Sequence, residues 1–119
     1  MGEKTKQTGS CHCGNVKFEV EGDFSKAISC NCSMCSRTGA LLAFVPAAQF
    51  KLLKGEDAQS LYQFNKHAID HLFCKTCGLR PYAKGIGPGG AEMRAINVRC
   101  LEEFDLDKVE IKKVDGKSL

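Results

Sequence analysis

Seven of the eight cysteines in this 119-residue sequence fall into three close groups, and cysteine thiolates are ligands for metal ions. The groups have the spacings C-x-C, C-x-C-x-x-C and C-x-x-C. They comprise Cys11 and Cys13, then Cys30, Cys32 and Cys35, then Cys74 and Cys77, with Cys100 standing alone. Because thiols stay reduced in a cytosol, grouped cysteines in a cytosolic protein favour metal binding over disulfides.

The first and last groups together predict a closed zinc site, the four-cysteine cluster (Cys11, Cys13, Cys74 and Cys77). Tetrahedral Zn²⁺ with Zn–S bonds of about 2.3 Å needs sulfur atoms roughly 3.8 Å apart. A C-x-x-C turn followed by Gly78 brings two sulfurs together, because glycine lets the backbone fold back. The two side chains of a C-x-C leave the same face of an extended segment and can also converge. Such a site would tie the start of the domain to the middle of the chain.

The central group, the three-cysteine cluster (Cys30, Cys32 and Cys35), predicts a different kind of site. Three protein ligands with an open fourth position are typical of catalytic zinc, whereas structural zinc is enclosed by four protein ligands. Two alternatives remain on spacing alone. Either Cys100 or a histidine completes the site, or the cluster shares ligands with the four-cysteine cluster.

Short β-strands must position these cysteines, because apolar and polar residues alternate in segments that glycines separate. Residues 101–107 have room for one helical turn at most, so the pattern predicts a mainly β fold. We predict a half-buried strand over residues 16–20, a strand buried on both faces over 41–45, and further strands over 61–64, 96–100 and 109–111.

The composition predicts one globular domain, since 43% of residues are hydrophobic and 26% are charged. We place the domain at residues 9–114, between flexible polar tails at 1–8 and 115–119. The polar start of the chain lacks the apolar stretch of a secretory signal, which predicts a cytoplasmic location. No apolar run approaches the roughly 18 residues of a membrane helix, so we expect no membrane association.

The formal net charge of +3 indicates no nucleic-acid partner once zinc is counted. Four thiolates around one Zn²⁺ leave a charge of about −2, and three around another leave about −1, because each ligand loses its proton. The total charge then falls to about zero.

Other residues that could do chemistry have simpler interpretations. His67 and His71 lie four apart but outside any metal-binding motif, so we expect surface or loop histidines. His12 should point away from the cysteines that flank it. Cys100 alternates with apolar residues and should be a buried, inert thiol. The glycine-rich stretch at 85–90 should be a flexible loop beside a substrate cleft, because Pro88 removes an N–H that a phosphate loop would use.

Four segments resemble motifs of one family, the glutathione-dependent formaldehyde-activating enzymes, which also includes centromere protein V. The resemblance extends over about residues 9–107. The segments are residues 9–20 (GSCHCGNVKFEV), 30–39 (CNCSMCSRTG), 73–78 (FCKTCG) and 96–101 (INVRCL).

The resemblance implies an Mss4-like fold of small β-sheets, with structural zinc in the four-cysteine cluster and catalytic zinc in the three-cysteine cluster. It implies two zinc ions per chain, of which the second could be labile, and glutathione as the small-molecule partner. Two departures stand out. Asn31 replaces a common histidine, which bears on substrate choice, and Leu79, Arg80 and Pro81 stand where small or polar residues are usual.

The implied activity is that of a carbon-sulfur lyase, an S-(hydroxymethyl)glutathione synthase acting on glutathione and formaldehyde or on a related thiol–aldehyde adduct. The alternative is a non-catalytic zinc scaffold or a glutathione-binding carrier. An adaptor for chromatin or microtubules is disfavoured, because the chain lacks a long basic extension. Arg37 is a candidate partner for a glutathione carboxylate, with a surface arginine as the equal alternative.

Overall fold

The computed structural model describes residues 5–63, 69–102 and 104–115, and these residues form ten strands and one α-helix. The strands are β1 (Thr5–Ser10), β2 (Lys17–Gly22), β3 (Lys26–Cys30), β4 (Leu42–Pro46), β5 (Phe50–Lys54), β6 (Gln59–Tyr62), β7 (Asp70–Cys74), β8 (Tyr82–Ile86), β9 (Glu92–Asn97) and β10 (Glu110–Val114). The helix is α1 (Ser33–Thr38), and 3₁₀ turns lie at Ala47–Gln49, Glu56–Ala58, Pro88–Gly90, Val98–Cys100 and Leu106–Lys108. The predicted mainly β, Mss4-like fold is confirmed. Among the described residues, no helix has the length and apolar character needed to cross a membrane.

The strands form two sheets. The small sheet has the order β1-β2-β5 and is antiparallel. The large sheet has the order β10-β3-β4-β9-β8-β7-β6, in which only the β10–β3 pair is parallel among the described strands. One apolar core joins the inner faces of the two sheets. Successive side chains of a strand alternate between the two faces of a sheet, so each strand of the large sheet presents side chains toward this core and on the opposite face.

The core is built around Phe18 of β2, which is fully buried. Its ring lies 5.3 Å from that of Phe50 in the small sheet and 6.1 Å from that of Tyr82 in the large sheet. Val16 and Val20 are buried on the same side, as alternation predicts. Burial of such a side chain contributes about 1.5–3 kcal/mol, so this strand is a principal link between the sheets.

Three predicted strands differ from the structure. The strand predicted over 61–64 is β6, which ends at Tyr62, and residue 64 lies outside the described residues. In β4, Phe44 is 52% exposed, so the prediction of burial on both faces is wrong at this residue. Leu42 on the same face is covered by Cys35 of α1, but the short helix does not extend over Phe44. The predicted strand over 96–100 ends at Asn97, because the Asn97 side chain accepts a hydrogen bond from the Arg99 amide and caps a 3₁₀ turn.

The chain ends also differ from expectation. Residues 5–8 are not a tail: Thr5 opposite Gly22 begins a continuous antiparallel ladder between β1 and β2. At the other end, β10 reaches Val114 and Asp115 contacts Asn31, whereas residues 116–119 lie outside the described residues. The one helical turn predicted within residues 101–107 is a 3₁₀ turn at Leu106–Lys108, which ends one residue beyond that range.

The sequence reasoning missed helix α1. Its N-terminus is capped by the Cys32 sulfur, which accepts a hydrogen bond from the Cys35 amide, and Gly39 ends it in a left-handed conformation. Sulfur is an unusual cap, and a six-residue helix has no apolar periodicity to reveal it. The helix therefore arises from the same cysteines that form the three-cysteine cluster.

Candidate metal centres

The four sulfur atoms of the four-cysteine cluster come together as predicted. All of them lie within 4.8 Å of one another. The Cys11 and Cys13 sulfurs are 3.6 Å apart, and those of Cys13 and Cys74 are 3.5 Å apart. These separations match the roughly 3.8 Å between the thiolates of a tetrahedral zinc site. The donor set and its spacing therefore fit a single zinc ion.

Two turns, one from each sheet, deliver these sulfurs. Cys11 follows β1, and a turn closed by the Gly14 amide on the Cys11 carbonyl, at 3.3 Å, folds Cys13 back toward it. The backbone of residues 11–13 therefore forms a turn, and not the extended segment that the C-x-C spacing predicted. Cys74 ends β7, and the Gly78 amide donates to the Cys74 carbonyl at 2.9 Å. Gly78 has φ +79°, a conformation that side chains other than glycine rarely adopt.

Backbone amides also point at the sulfur atoms. The Val16 amide donates to Cys11 Sγ at 3.3 Å, and the Thr76 amide donates to Cys74 Sγ at 3.4 Å. Backbone hydrogen bonds from Cys13 and Leu79 lower the pKa of Cys77 to about 6. These donors stabilise the ionised form that binds metal.

The thiols of this cluster do not share one pKa. A backbone hydrogen bond from Asn15 favours the Cys13 thiolate, but desolvation and the neighbouring cysteine thiols outweigh it and raise the Cys13 pKa to about 11. The pKa of Cys74 is lowered, first by its bond from the Cys77 amide. Thiolates at this separation repel one another, so full ionisation requires a bound cation.

The three-cysteine cluster lies where β3 passes into α1. Cys30 ends β3, Cys32 caps the helix and Cys35 is in its first turn, and their sulfurs lie within 4.8 Å of one another. The Cys32 amide donates to Cys30 Sγ at 3.4 Å, and the Cys35 amide donates to Cys32 Sγ at 3.3 Å. Burial and the adjacent Cys32 raise the Cys35 pKa to about 12.

Among the described residues, no fourth histidine, cysteine, aspartate or glutamate joins these three sulfurs. Cys100 is buried, as predicted, but it lies near the four-cysteine cluster and does not join these three sulfurs. Burial and the nearby Cys11 and Cys77 raise the Cys100 pKa to about 11. The two clusters form separate groups without a common ligand in this part of the chain. His67 lies outside the described residues. The described donors therefore fit a zinc ion with one position open to a non-protein ligand.

His71 is not the surface or loop histidine that we predicted. It lies in β7, between β6 and β8, and is only 6% exposed. Its Nδ1 lies 2.6 Å from Nη1 of Arg80. Burial lowers the His71 pKa, and the Arg80 charge lowers it further against the opposing effect of Asp70. The four-residue spacing between His67 and His71 did not indicate whether His71 is buried. His12, in contrast, is exposed.

Asn31 and Arg80, one residue from each of the two sequence departures, both bear on the three-cysteine cluster. Asn31 Nδ2 donates to Asp115 Oδ1 at 2.9 Å, and the Asn31 amide donates to the Val114 carbonyl at 3.2 Å. Asn31 therefore attaches the loop between Cys30 and Cys32 to the end of β10. The sequence did not identify Arg80 as a site residue. In the structure, its positive charge favours the Cys35 thiolate.

Two cavities lie on the same side of the large sheet as the three-cysteine cluster. One, of about 300 Å³, is lined by Ser33, Met34, Arg37 and Tyr62, and Arg37 Nη1 donates to the Ser33 carbonyl at 2.8 Å. The other, of about 550 Å³, is apolar and includes residues 85–87 of the glycine-rich stretch. Part of that stretch therefore lines a cleft, but the predicted loop is wrong at Gly85 and Ile86, which end β8, and residues 88–90 form a 3₁₀ turn. That the stretch is flexible and that the cleft binds substrate stay predictions.

Comparison with known proteins agrees with the cysteine pattern. The family described as glutathione-dependent formaldehyde-activating enzyme matches residues 6–113, a segment that includes both clusters. A crystal structure of a Rhodobacter sphaeroides protein is similar, with a TM-score of 0.76 and 33% sequence identity, and the match covers 88% of this chain and 99% of that one. With two separate cysteine clusters on a shared mainly β scaffold, the chain belongs to the glutathione-dependent formaldehyde-activating enzyme family.

Proposed function

We propose that this protein is a zinc enzyme of the carbon-sulfur lyase class that joins glutathione and formaldehyde to give S-hydroxymethylglutathione. The observation that carries the proposal is the three-cysteine cluster, which has three sulfur donors and no fourth protein donor among the described residues. Family membership supports glutathione and formaldehyde as the reactants. The metal would be zinc, held by Cys30, Cys32 and Cys35, because the donors are thiols at tetrahedral spacing.

The reaction needs a thiolate and a carbonyl carbon in contact. The S–H bond of glutathione breaks, a C–S bond forms to formaldehyde, and the carbonyl oxygen takes up a proton. A free thiol with a pKa near 8.5 is only about 3% ionised at neutral pH. A zinc ion with an open position would supply the positive charge that lowers the pKa of an incoming thiol. Backbone amides directed at Cys30 and Cys32 would fix the ligands around that position.

The cavity beside α1 is the proposed place for the glutathione peptide. Arg37 is exposed at its edge, one helical turn from the Ser33 carbonyl that it contacts. Its guanidinium would bind a glutathione carboxylate, since arginine recognises carboxylates with two parallel hydrogen bonds. Tyr62 also lines this cavity.

The four-cysteine cluster would have a structural role. It joins a turn after β1 in the small sheet to the end of β7 in the large sheet. Four protein sulfurs leave a tetrahedral ion no open position, so it would bind no substrate. A reducing compartment such as the cytoplasm is part of the proposal, because all eight cysteines are unpaired thiols and both clusters need them reduced.

A substitution in the three-cysteine cluster tests the proposal. Wild type should bind glutathione in titration calorimetry and accelerate exchange between free formaldehyde and S-hydroxymethylglutathione, measured by exchange NMR at equilibrium. Cys35→Ser should lose both, because a site with two thiolates no longer retains the metal. Cys100→Ala removes a buried cysteine outside both clusters and should keep both properties.

The outcomes separate the enzyme from its alternatives. Binding that is lost in Cys35→Ser, without acceleration by wild type, would indicate a glutathione carrier. Binding that is unchanged in Cys35→Ser would show that the thiol binds elsewhere, and the proposal would then be wrong.

A further inference from the structure

The larger cavity continues the face of the sheet that carries the three-cysteine cluster. Phe44 of β4, Ala95 of β9 and Ala83 of β8 are cross-strand neighbours and line this cavity. Ala95 also packs against the apolar group that contains Cys35 and Leu42. The cavity and the cluster therefore meet at Ala95, on one face of the large sheet.

The cavity has the size and chemistry of an organic-ligand site. Its volume of about 550 Å³ lies within the range of roughly 300–1,000 Å³ typical of small-molecule pockets. Alanines form its floor, and Phe44, Ile69, Ile86 and Met93 form its walls. Phe44, Ile69 and Ile86 are each about half exposed or more, at 52%, 48% and 65%. An occupant would bury apolar surface that now contacts water.

Neither reactant of the proposed function fits this cavity well. Formaldehyde has two heavy atoms and would leave the cavity almost empty. Glutathione carries two carboxylates and an ammonium group, yet Lys84 is the one charged side chain among the described lining residues. Burying unpaired charges against apolar walls is unfavourable, so the peptide thiol belongs at the other cavity, where Arg37 offers a positive charge.

We infer that this enzyme also accepts aldehydes with an apolar substituent in place of formaldehyde, and that their carbon chain occupies the cavity between Phe44, Ile86 and the alanine floor. This inference rests on the proposed function. The chemistry is unchanged: the thiol sulfur forms a C–S bond to the aldehyde carbon, the C=O double bond becomes a single bond, and the proton of the thiol ends on oxygen. The product is a thiohemiacetal, and no oxidant or reductant is needed.

Aldehydes of increasing length measure the contribution of the cavity. The probes are formaldehyde, propanal, butanal and hexanal with glutathione, and each kcat/KM is divided by the uncatalysed rate constant for the same aldehyde. Burial of each methylene is worth about fourfold, from about 0.8 kcal/mol per CH₂. We therefore expect the normalised value to rise about fourfold per carbon from propanal to hexanal.

Gly85→Leu fills the cavity from its wall. A Cβ at Gly85 would meet only Ile69 Cγ1, at 3.8 Å, which is an ordinary contact, so the added side chain enters open space without backbone strain. The ratio of hexanal to formaldehyde kcat/KM should fall at least tenfold. Lys51→Leu places a leucine at an exposed strand position of the other sheet and should keep the wild-type ratio.

Binding gives a readout that is independent of turnover. The unreactive probe 1-hexanol should shift the methyl NMR signals of Ala83, Ala95 and Met93 in wild type, and less in Gly85→Leu. If the signals instead move with protein concentration and not with 1-hexanol, the face is an interface between copies of this chain and the inference is wrong.

The kinetic outcomes distinguish the two proposals. Acceleration with formaldehyde, with no gain for longer aldehydes, overturns the inference and leaves the proposed function standing. Acceleration that rises with chain length supports the inference. No acceleration with any aldehyde overturns both.

Discussion

Backbone amides hold the sulfur atoms of both clusters in place. The amides of Val16 and Thr76 contact sulfurs of the four-cysteine cluster, and the Cys35 amide contacts a sulfur of the three-cysteine cluster. Such donors favour thiolates and fix their positions before a metal arrives. At the scale of single residues, the sites are therefore shaped by the turns around the cysteines as much as by the cysteines themselves.

His71 gives a residue-scale prediction about pH. Because burial and Arg80 lower its pKa in the folded state, the unfolded chain binds this proton more readily. The stability that neutral His71 contributes is complete above its unfolded pKa of about 6.5 and is lost as pH falls below it. In His71→Gln, the free energy of unfolding should therefore decline less between pH 7.5 and 5.5 than in wild type.

Urea unfolding of both proteins at several pH values checks this difference. His12→Gln, at an exposed position, controls for the loss of a histidine as such. Metal loss in acid affects all three proteins, so the comparison between them isolates His71. A decline in His71→Gln as steep as that of wild type would contradict the buried, neutral histidine.

At the scale of elements, two asparagine contacts attach the loops of the clusters to distant segments. Asn31 binds Asp115 after β10, and Asn15 binds Thr76 Oγ1 at 3.3 Å, across the four-cysteine cluster. Each contact joins a loop that carries ligands to a segment far away in the sequence. Removal of such outer contacts typically lowers metal affinity by 10–100-fold.

Asn31→Ala should therefore weaken metal binding at the three-cysteine cluster by about tenfold. The backbone bond from residue 31 to Val114 persists, so the fold should be retained. Competition with a chromophoric zinc chelator measures the affinity of each site. Asn15→Ala is the matched control and should weaken only the four-cysteine cluster; equal effects of both variants on both sites would contradict this assignment.

Elements show clearly what the sequence could and could not predict. Alternation located β2, because one face of that strand is buried and the other is not. It failed for β4, where burial depends on how far α1 extends over the sheet, and for α1 itself, whose cap is a cysteine sulfur. The burial of His71 and the role of Arg80 depend on strand pairing, which short-range patterns do not specify.

The ligand groups, in contrast, were predictable from the sequence. Ligand spacing within C-x-x-C and C-x-C is a local property of a turn, and the structure brings together the two groups that were expected. The cavity beside Ala95 was not predictable, because its walls come from three strands and a loop. The cysteine clusters are thus readable from sequence, whereas the shape of the neighbouring cavity is not.

At the scale of the whole molecule, the four-cysteine cluster lies between the two sheets. Cys11 follows β1 of the small sheet, and Cys74 ends β7 of the large sheet. A structural zinc ion contributes an apparent 10–16 kcal/mol, roughly as much as the entire net stability of a domain, about 5–15 kcal/mol. The three-cysteine cluster, in contrast, lies within one continuous segment, from β3 into α1. Loss of its metal should leave the sheets joined.

The most direct test of two centres with different roles is the zinc content and the circular dichroism spectrum of Cys74→Ser and Cys35→Ser beside wild type. Wild type should contain two zinc ions per chain, Cys35→Ser should keep its β spectrum with one, and Cys74→Ser should be unfolded or aggregated. Equal loss of the folded spectrum in both variants, or two zinc ions in a folded Cys35→Ser, would contradict the division into a structural and a reactive centre.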